Sequence, residues 1–186
     1  GLKSVTFIAS LGFLMSKISC YNPLMESLDL TNNLYGFSLS GQTSRILWKL
    51  KNVDMCYEVW SNNIDHYLKM LIHDQPKFVL GLGTYTGVDK DKIRIETVTK
   101  NQFRNDVIDN SFPISKEVNI KPFIKESENT KIASALGNSW CNLISYKIMR
   151  LIENKELNSQ FTFLHIPSSF NPDFAVDIID RLTEEL

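Results

Sequence analysis

Apolar residues fall into two rhythms along this chain, unbroken runs and stripes spaced three or four apart, and their alternation outlines the elements. The run over residues 5–11, closed by Gly12, has the continuous apolar character of a strand buried on both faces. Residues 14–42 keep no period, and Asn22-Pro23 and Thr31-Asn32-Asn33 interrupt them, which predicts a long irregular insertion. Thr43 or Ser44 is placed to cap a helix through Lys51, with Ile46, Leu47 and Leu50 on one face. Residues 55–60 alternate as a strand. Asn62 or Asn63 then opens an amphipathic helix with Ile64, Tyr67, Leu68 and Leu71 on one side, stopping before Pro76, because a residue preceding proline avoids the helical region. Residues 78–82 return as an apolar strand.

In the second half, Ile93, Ile95 and Thr97 alternate with polar neighbours, which predicts a half-exposed strand carrying Glu96. Residues 100–130 are polar, rich in asparagine and weakly patterned, the signature of a loop-dominated stretch. Leu143, Ile144, Ile148, Leu151 and Ile152 mark a helix over residues 139–155. A strand over 161–166 ends at Pro167, and a helix over 174–186 turns Val176, Ile179 and Leu182 inward. Strands alternating with helices predict the α/β class: a three-layer sandwich with a mostly parallel twisted sheet flanked by helices. At 186 residues the chain fits one domain, residues 1–186, with the insertion around 14–42.

Composition narrows the function more than the fold. A net charge of −1, with 43% hydrophobic and 22% charged residues, gives no electrostatic pull toward nucleic acid or an anionic membrane. Cys20, Cys56 and Cys141 are an odd number without a CxxC pair, so neither a disulfide framework nor a zinc site is expected. The absence of any Asn-x-Ser/Thr sequon agrees with a reducing, cytoplasmic setting. Lys3 and the apolar residues after it also fit a secretory leader, the alternative that would make the protein secreted; the run is too short to span a bilayer. His66 and His73 share one helix without metal-ligand spacing and are read as surface residues. Asp89 and Asp91 lack the remaining ligands of a calcium loop. Gly81, Gly83 and Gly87 miss the dinucleotide fingerprint, since the last two are four apart and no helix follows; they predict a loop at the sheet rim. No metal or cofactor is expected.

Cys141 falls in the first turn of the 139–155 helix, where unpaired backbone N–H groups and the positive end of the helix dipole favour a thiolate. Alone it would more often be a small buried hydrophobe. His165 changes that balance, because it ends a strand, and open α/β sheets gather their chemistry at the carboxyl edge beside helix N-termini. A base there can hold the thiol proton and deliver it to a leaving amine. Glu96 is a candidate to orient the histidine, although pattern alone does not single it out from the 21 acidic residues.

Three segments then resemble one family. Gly137 through Cys141-Asn142, with Tyr146 five residues after the cysteine, is similar to the nucleophile segment of pyroglutamyl peptidase I, the pyrrolidone-carboxylate cysteine peptidases. Phe163-Leu164-His165-Ile166-Pro167 resembles that family's histidine strand, 24 residues beyond the cysteine. Ile95-Glu96-Thr97-Val98 with Asn101 resembles the segment bearing its glutamate, and the order Glu, Cys, His agrees. Gly12-Phe13 and Gln75-Pro76-Lys77-Phe78 are weaker matches.

The resemblance implies a cysteine exopeptidase that removes N-terminal pyroglutamate from peptides without metal or cofactor, with Cys141, His165 and Glu96 catalytic and Phe13 touching substrate. It implies no assembly state, since relatives exist as monomers and tetramers, so a homo-oligomer stays open. The pattern departs at several points. Leu14-Met15-Ser16-Lys17 lacks the family's second aromatic, which Tyr35 or Phe37 would replace if the loop folded back. Arg104, out of register, is the nearest counterpart of the arginine linked to the oxyanion site. Ser168-Ser169-Phe170 replaces the usual residues after His-Val-Pro. These departures leave two alternatives, an amidase acting on another small amide and a silent binding module. A class I glutamine amidotransferase would carry its acid two residues after the histidine, where this chain has Pro167.

Overall fold

The computed structural model describes residues 33–87, 91–134 and 136–186. The strand expected over 5–11, Gly12-Phe13 and Cys20 lie outside the described residues. In chain order the elements are β1 (Leu34–Ser38), α1 (Gly41–Leu47), β2 (Met55–Glu58), α2 (Ile64–Asp74), β3 (Phe78–Tyr85), β4 (Ile93–Glu96) and β5 (Val98–Lys100). They continue with β6 (Glu117–Asn119), β7 (Thr130–Ala133), α3 (Trp140–Glu153), β8 (Gln160–Pro167) and α4 (Pro172–Thr183). Six strands form one sheet in the order β2-β1-β3-β8-β4-β7, and β5 pairs with β6 beside it.

The expected sandwich is present. Along β8, Phe161 and Phe163 point to a face covered by α2 and α3, where Phe37, Tyr67, Leu71 and Ile144 complete the core. Leu164 and Ile166, at the alternate positions of the same strand, face α1 and α4 with Leu80, Ile95, Ile46 and Ile179. Both faces are covered, so the central strands read as apolar runs.

Four differences from the sequence reading have physical causes. Part of the expected irregular insertion is regular: residues 34–38 are β1, hydrogen-bonded between β2 and β3, and α1 starts at Gly41. All five β1 residues are buried, so no alternation marks them. The α1 cap is Ser40, whose Oγ accepts from the Thr43 N–H at 3.3 Å, rather than Thr43 or Ser44. β4 runs antiparallel to β8, while the other ladders of the six-stranded sheet are parallel. Only residues 86–92 join β3 to β4, too few for the crossover that a parallel return from β3 requires. Finally, Gly81 and Gly83 lie within β3 rather than in a rim loop. A Cβ at Gly81 would stand 2.5 Å from the Phe163 ring and 2.6 Å from that of Phe37, so the strand needs glycine to let those rings close over it.

Candidate active site

The chemistry-bearing residues meet on the α2/α3 face, toward the C-terminal end of β8. β3, β8 and β4 place Gly83, His165 and Arg94 in one row across the sheet. Glu96 follows two residues after Arg94, on the same face of β4. Its strand is not half-exposed as the alternation suggested: Glu96 is wholly buried, and the polar positions of β4 face the site rather than solvent.

His165 Nδ1 donates to Glu96 Oε1 at 2.8 Å, and both groups are buried. That bond leaves Nε2 as the ring nitrogen available to Cys141, whose Sγ lies on the same side of Gly83 as the imidazole. Burial pulls the imidazolium toward deprotonation, but the interactions that Cys141 and Glu96 make with the protonated ring, through acceptor atoms and negative charge, outweigh it and raise the His165 pKa from 6.5 to about 9. Edge-on packing against Phe163, with ring centroids 5.1 Å apart, fixes the imidazole plane.

Cys141 is delivered by α3. Gly137, with φ +77, makes the left-handed turn that precedes the helix. Ser139 caps the helix without a side-chain hydrogen bond, so its own hydroxyl leaves the N–H groups of the first turn open. Asn142, fully buried, bolts that turn down. Its Nδ2 donates to the carbonyl oxygens of Lys100 at 2.9 Å and Gln102 at 2.6 Å, and its Oδ1 accepts from the Lys100 N–H at 2.9 Å and the Thr99 hydroxyl at 2.8 Å. The amide's hydrogen-bonding capacity is thereby used in full. Asn101, equally buried, gathers the following loop through the N–H groups of Ile108 and Asp109 and the carbonyl oxygens of Asp109 and Phe112.

Gly83 lies beneath the thiol. A Cβ there would approach Cys141 Sγ to 2.8 Å, Phe163 to 2.9 Å and His165 Cδ2 to 3.0 Å. Glycine is what admits the cysteine and the histidine side by side.

Of the residues singled out by sequence, Cys141, His165 and Glu96 are brought together. Arg104 stands at the rim with its guanidinium 5.1 Å from the Phe103 ring centroid and 6.0 Å from that of Trp140, and its N–H donates to the Asn138 carbonyl at 2.7 Å. Tyr35 and Phe37 do not fold back as loop residues. They are buried on β1, with Phe37 packed on Tyr67, Phe161 and Phe163 and the Tyr35 hydroxyl donating to Asp74 at 3.2 Å. The described Gly-Phe pair on a strand is therefore Gly36-Phe37; Phe13 lies outside the described residues. His66 and His73 are exposed, and among the described residues no three His, Cys, Asp or Glu side chains converge as a metal site.

Sequence reasoning missed Arg94 and the role of Gly83. Arg94 Nε donates to Glu96 Oε1 at 3.0 Å, and its guanidinium lies 4.4 Å from the Tyr85 ring centroid. The signal was present, since residues i and i+2 of a strand share a face.

No family model matches the sequence. A pyrrolidone-carboxylate peptidase of Oceanobacillus iheyensis is 26% identical over 185 residues, spanning 88% of this chain and 89% of the relative. Among solved structures, the pyrrolidone carboxyl peptidase from Thermococcus litoralis matches with a TM-score of 0.62 at 15% identity, covering 82% of this chain and 90% of that one. The pyrrolidone carboxyl peptidase from Thermus thermophilus matches at 0.61 and 16% identity, covering 82% and 98%. Pyroglutamyl peptidase I from Bacillus amyloliquefaciens matches at 0.61 and 15% identity, covering 81% and 91%. Among the described residues no helix is long and apolar enough to cross a membrane.

Proposed function

For a chain that is a divergent relative of the pyrrolidone-carboxylate peptidases and shares their fold, we propose that it is a cysteine-type peptidase that releases N-terminal pyroglutamate from peptides. The observation that carries this reading is the juxtaposition of Cys141, His165 and Glu96 from α3, β8 and β4, with the cysteine and histidine side by side over Gly83 and the histidine hydrogen-bonded to the glutamate. In the proposed cycle the Cys141 thiolate adds to the amide carbonyl carbon, and the electron pair moves onto the carbonyl oxygen. The Cys141 backbone N–H stabilises that oxyanion, with the Arg104 guanidinium as the second donor. Collapse breaks the C–N bond, and the His165 imidazolium protonates the departing amine. His165, now neutral, takes a proton from water, which attacks the thioester and regenerates thiolate, imidazolium and free acid. Glu96 orients the imidazole and balances its charge. Phe13 is assigned to the pyrrolidone ring by resemblance.

Hydrolysis of a pyroglutamyl-coumarin amide tests the reading, beside a panel of other acyl-coumarin amides and the Cys141→Ser variant. Pyroglutamyl cleavage that the variant loses is the expected result. Cleavage of another amide only would transfer the chemistry to a different substrate. No turnover on any amide would favour a silent binding module.

A further inference from the structure

Glu96 has no exposed surface, and the two oxygens of its carboxylate are treated unequally. Oε1 accepts from His165 Nδ1 at 2.8 Å and from Arg94 Nε at 3.0 Å, while Oε2 is buried and has no hydrogen-bond partner among the described residues. A carboxylate so enclosed favours its neutral form unless an opposite charge stands beside it. Among the described residues two groups stand beside it to supply that charge, and they differ in kind. The imidazolium charge disappears each time His165 gives its proton to a leaving amine, whereas a guanidinium stays protonated throughout.

Arg94 is held for this purpose from two sides. Its side chain is 17% exposed, lies over the Tyr85 ring and stands opposite His165 in the β4–β8 ladder. The other groups around the carboxylate do not duplicate it. α3 contributes Cys141 through His165, and β3 contributes Tyr85, whose ring centroid is 6.1 Å from that of His165. β7 sets Ala133 opposite Glu96 and Lys131 opposite Arg94, and Lys131 is paired with Asp91 at 3.6 Å.

We propose that Arg94 is a positioning residue that keeps Glu96 ionised while His165 is neutral, so that Oε1 remains the acceptor for Nδ1–H and the imidazole keeps Nε2 toward Cys141. The inference rests on the catalytic roles proposed above. Without Arg94, the interval after amine release would leave an uncompensated buried carboxylate. Glu96 would then take up a proton and cease to balance the imidazolium formed in the next step.

The test is the pH dependence of Cys141 alkylation by iodoacetamide, resolved by peptide mass, in wild type, Arg94→Met and Arg94→Lys. Without Arg94 and with Glu96 neutral, the imidazolium loses its counter-charge and the thiolate–imidazolium pair is destabilised, so the rising limb of the Arg94→Met profile, where Cys141 becomes reactive, is expected to move to higher pH by about one unit or more. Arg94→Lys retains the charge and is expected to bring the profile most of the way back. An Arg94→Met profile lowered equally at every pH and unshifted would overturn the inference, because a purely structural role has that effect. If Arg94→Met does not fold, Arg94→Gln and Arg94→Lys decide together: a rising limb shifted to higher pH in Arg94→Gln and restored by Arg94→Lys supports the inference, and an unshifted Arg94→Gln profile overturns it. A wild-type Cys141 that reacts no faster than Cys56 refutes the catalytic reading itself, before any variant is compared.

Discussion

The two faces of the central sheet are built from the same strands and do different work. On the α1/α4 face, Leu82, Ile95, Leu164 and Ile166 meet Ile46, Leu47 and Ile179, an aliphatic layer with no titratable group among its buried core residues other than Cys56. On the α2/α3 face, the alternate positions of the same strands supply Gly83, Phe163, His165, Arg94 and Glu96, with Cys141 arriving from α3. One residue of register separates the two sets, so a single strand such as β8 both anchors the fold and presents the base. Both faces carry a buried core, with Phe37, Phe161 and Ile144 on the α2/α3 side, but only that side also presents the chemistry.

The largest test of this division is Cys141→Ala, which should reduce turnover of a cleaved amide by at least ~10³-fold while leaving the circular dichroism spectrum and melting temperature close to wild type. Gly83→Ala comes next. Its added methyl must displace the thiol, the Phe163 ring or the imidazole, and a displacement of that size is expected to cost about 10- to 100-fold in kcat, measured on the same amide. Leu164→Ala, on the opposite face of the same strand, should reverse the pattern. Urea denaturation is expected to show a loss of about 2–5 kcal/mol, with kcat of the folded fraction unchanged within a factor of a few. If Leu164→Ala abolished activity in fully folded protein, the two faces would not be separable in this way.

A smaller effect concerns pH. Because the His165 pKa is raised above its ordinary 6.5 to about 9, the imidazolium's bonds stabilise the fold fully below about 6.5 and are lost as pH rises through about 9. Stability measured by urea between pH 6 and 10 should decline over that window, and His165→Gln should flatten the decline. A wild-type curve as flat as the variant's would mean that the imidazolium is not held by its neighbours.

The aliphatic face was the more legible of the two in the sequence. Ile46, Leu47, Val176 and Ile179 follow helical periodicity closely enough to assign α1 and α4 to the core, although capping chemistry misplaced the start of α1. β1 was lost because burial on both faces removes the alternation that marks a strand, and Gly36 and the preceding asparagines resemble a turn. The direction of β4 could not be read from its own residues, since the length of the connection from β3 decides it. In the site, Cys141 and His165 were legible as ends of elements, and Glu96 only through the resemblance of three segments. Gly83 and Arg94 were not found. The reason is that Gly83 matters for the room it leaves, which depends on what packs over it, and a strand-borne arginine looks like any solvated charge until its face proves to be buried.

The coupling of Cys141 to His165 is the claim on which all the rest depends, and the rate of alkylation of each cysteine at near-neutral pH, resolved by peptide mass, tests it most directly. Cys141 is expected to react many times faster than Cys56, and His165→Ala to remove most of the difference. Equal rates at the two cysteines in wild type, or a Cys141 rate unaffected by His165→Ala, would contradict it.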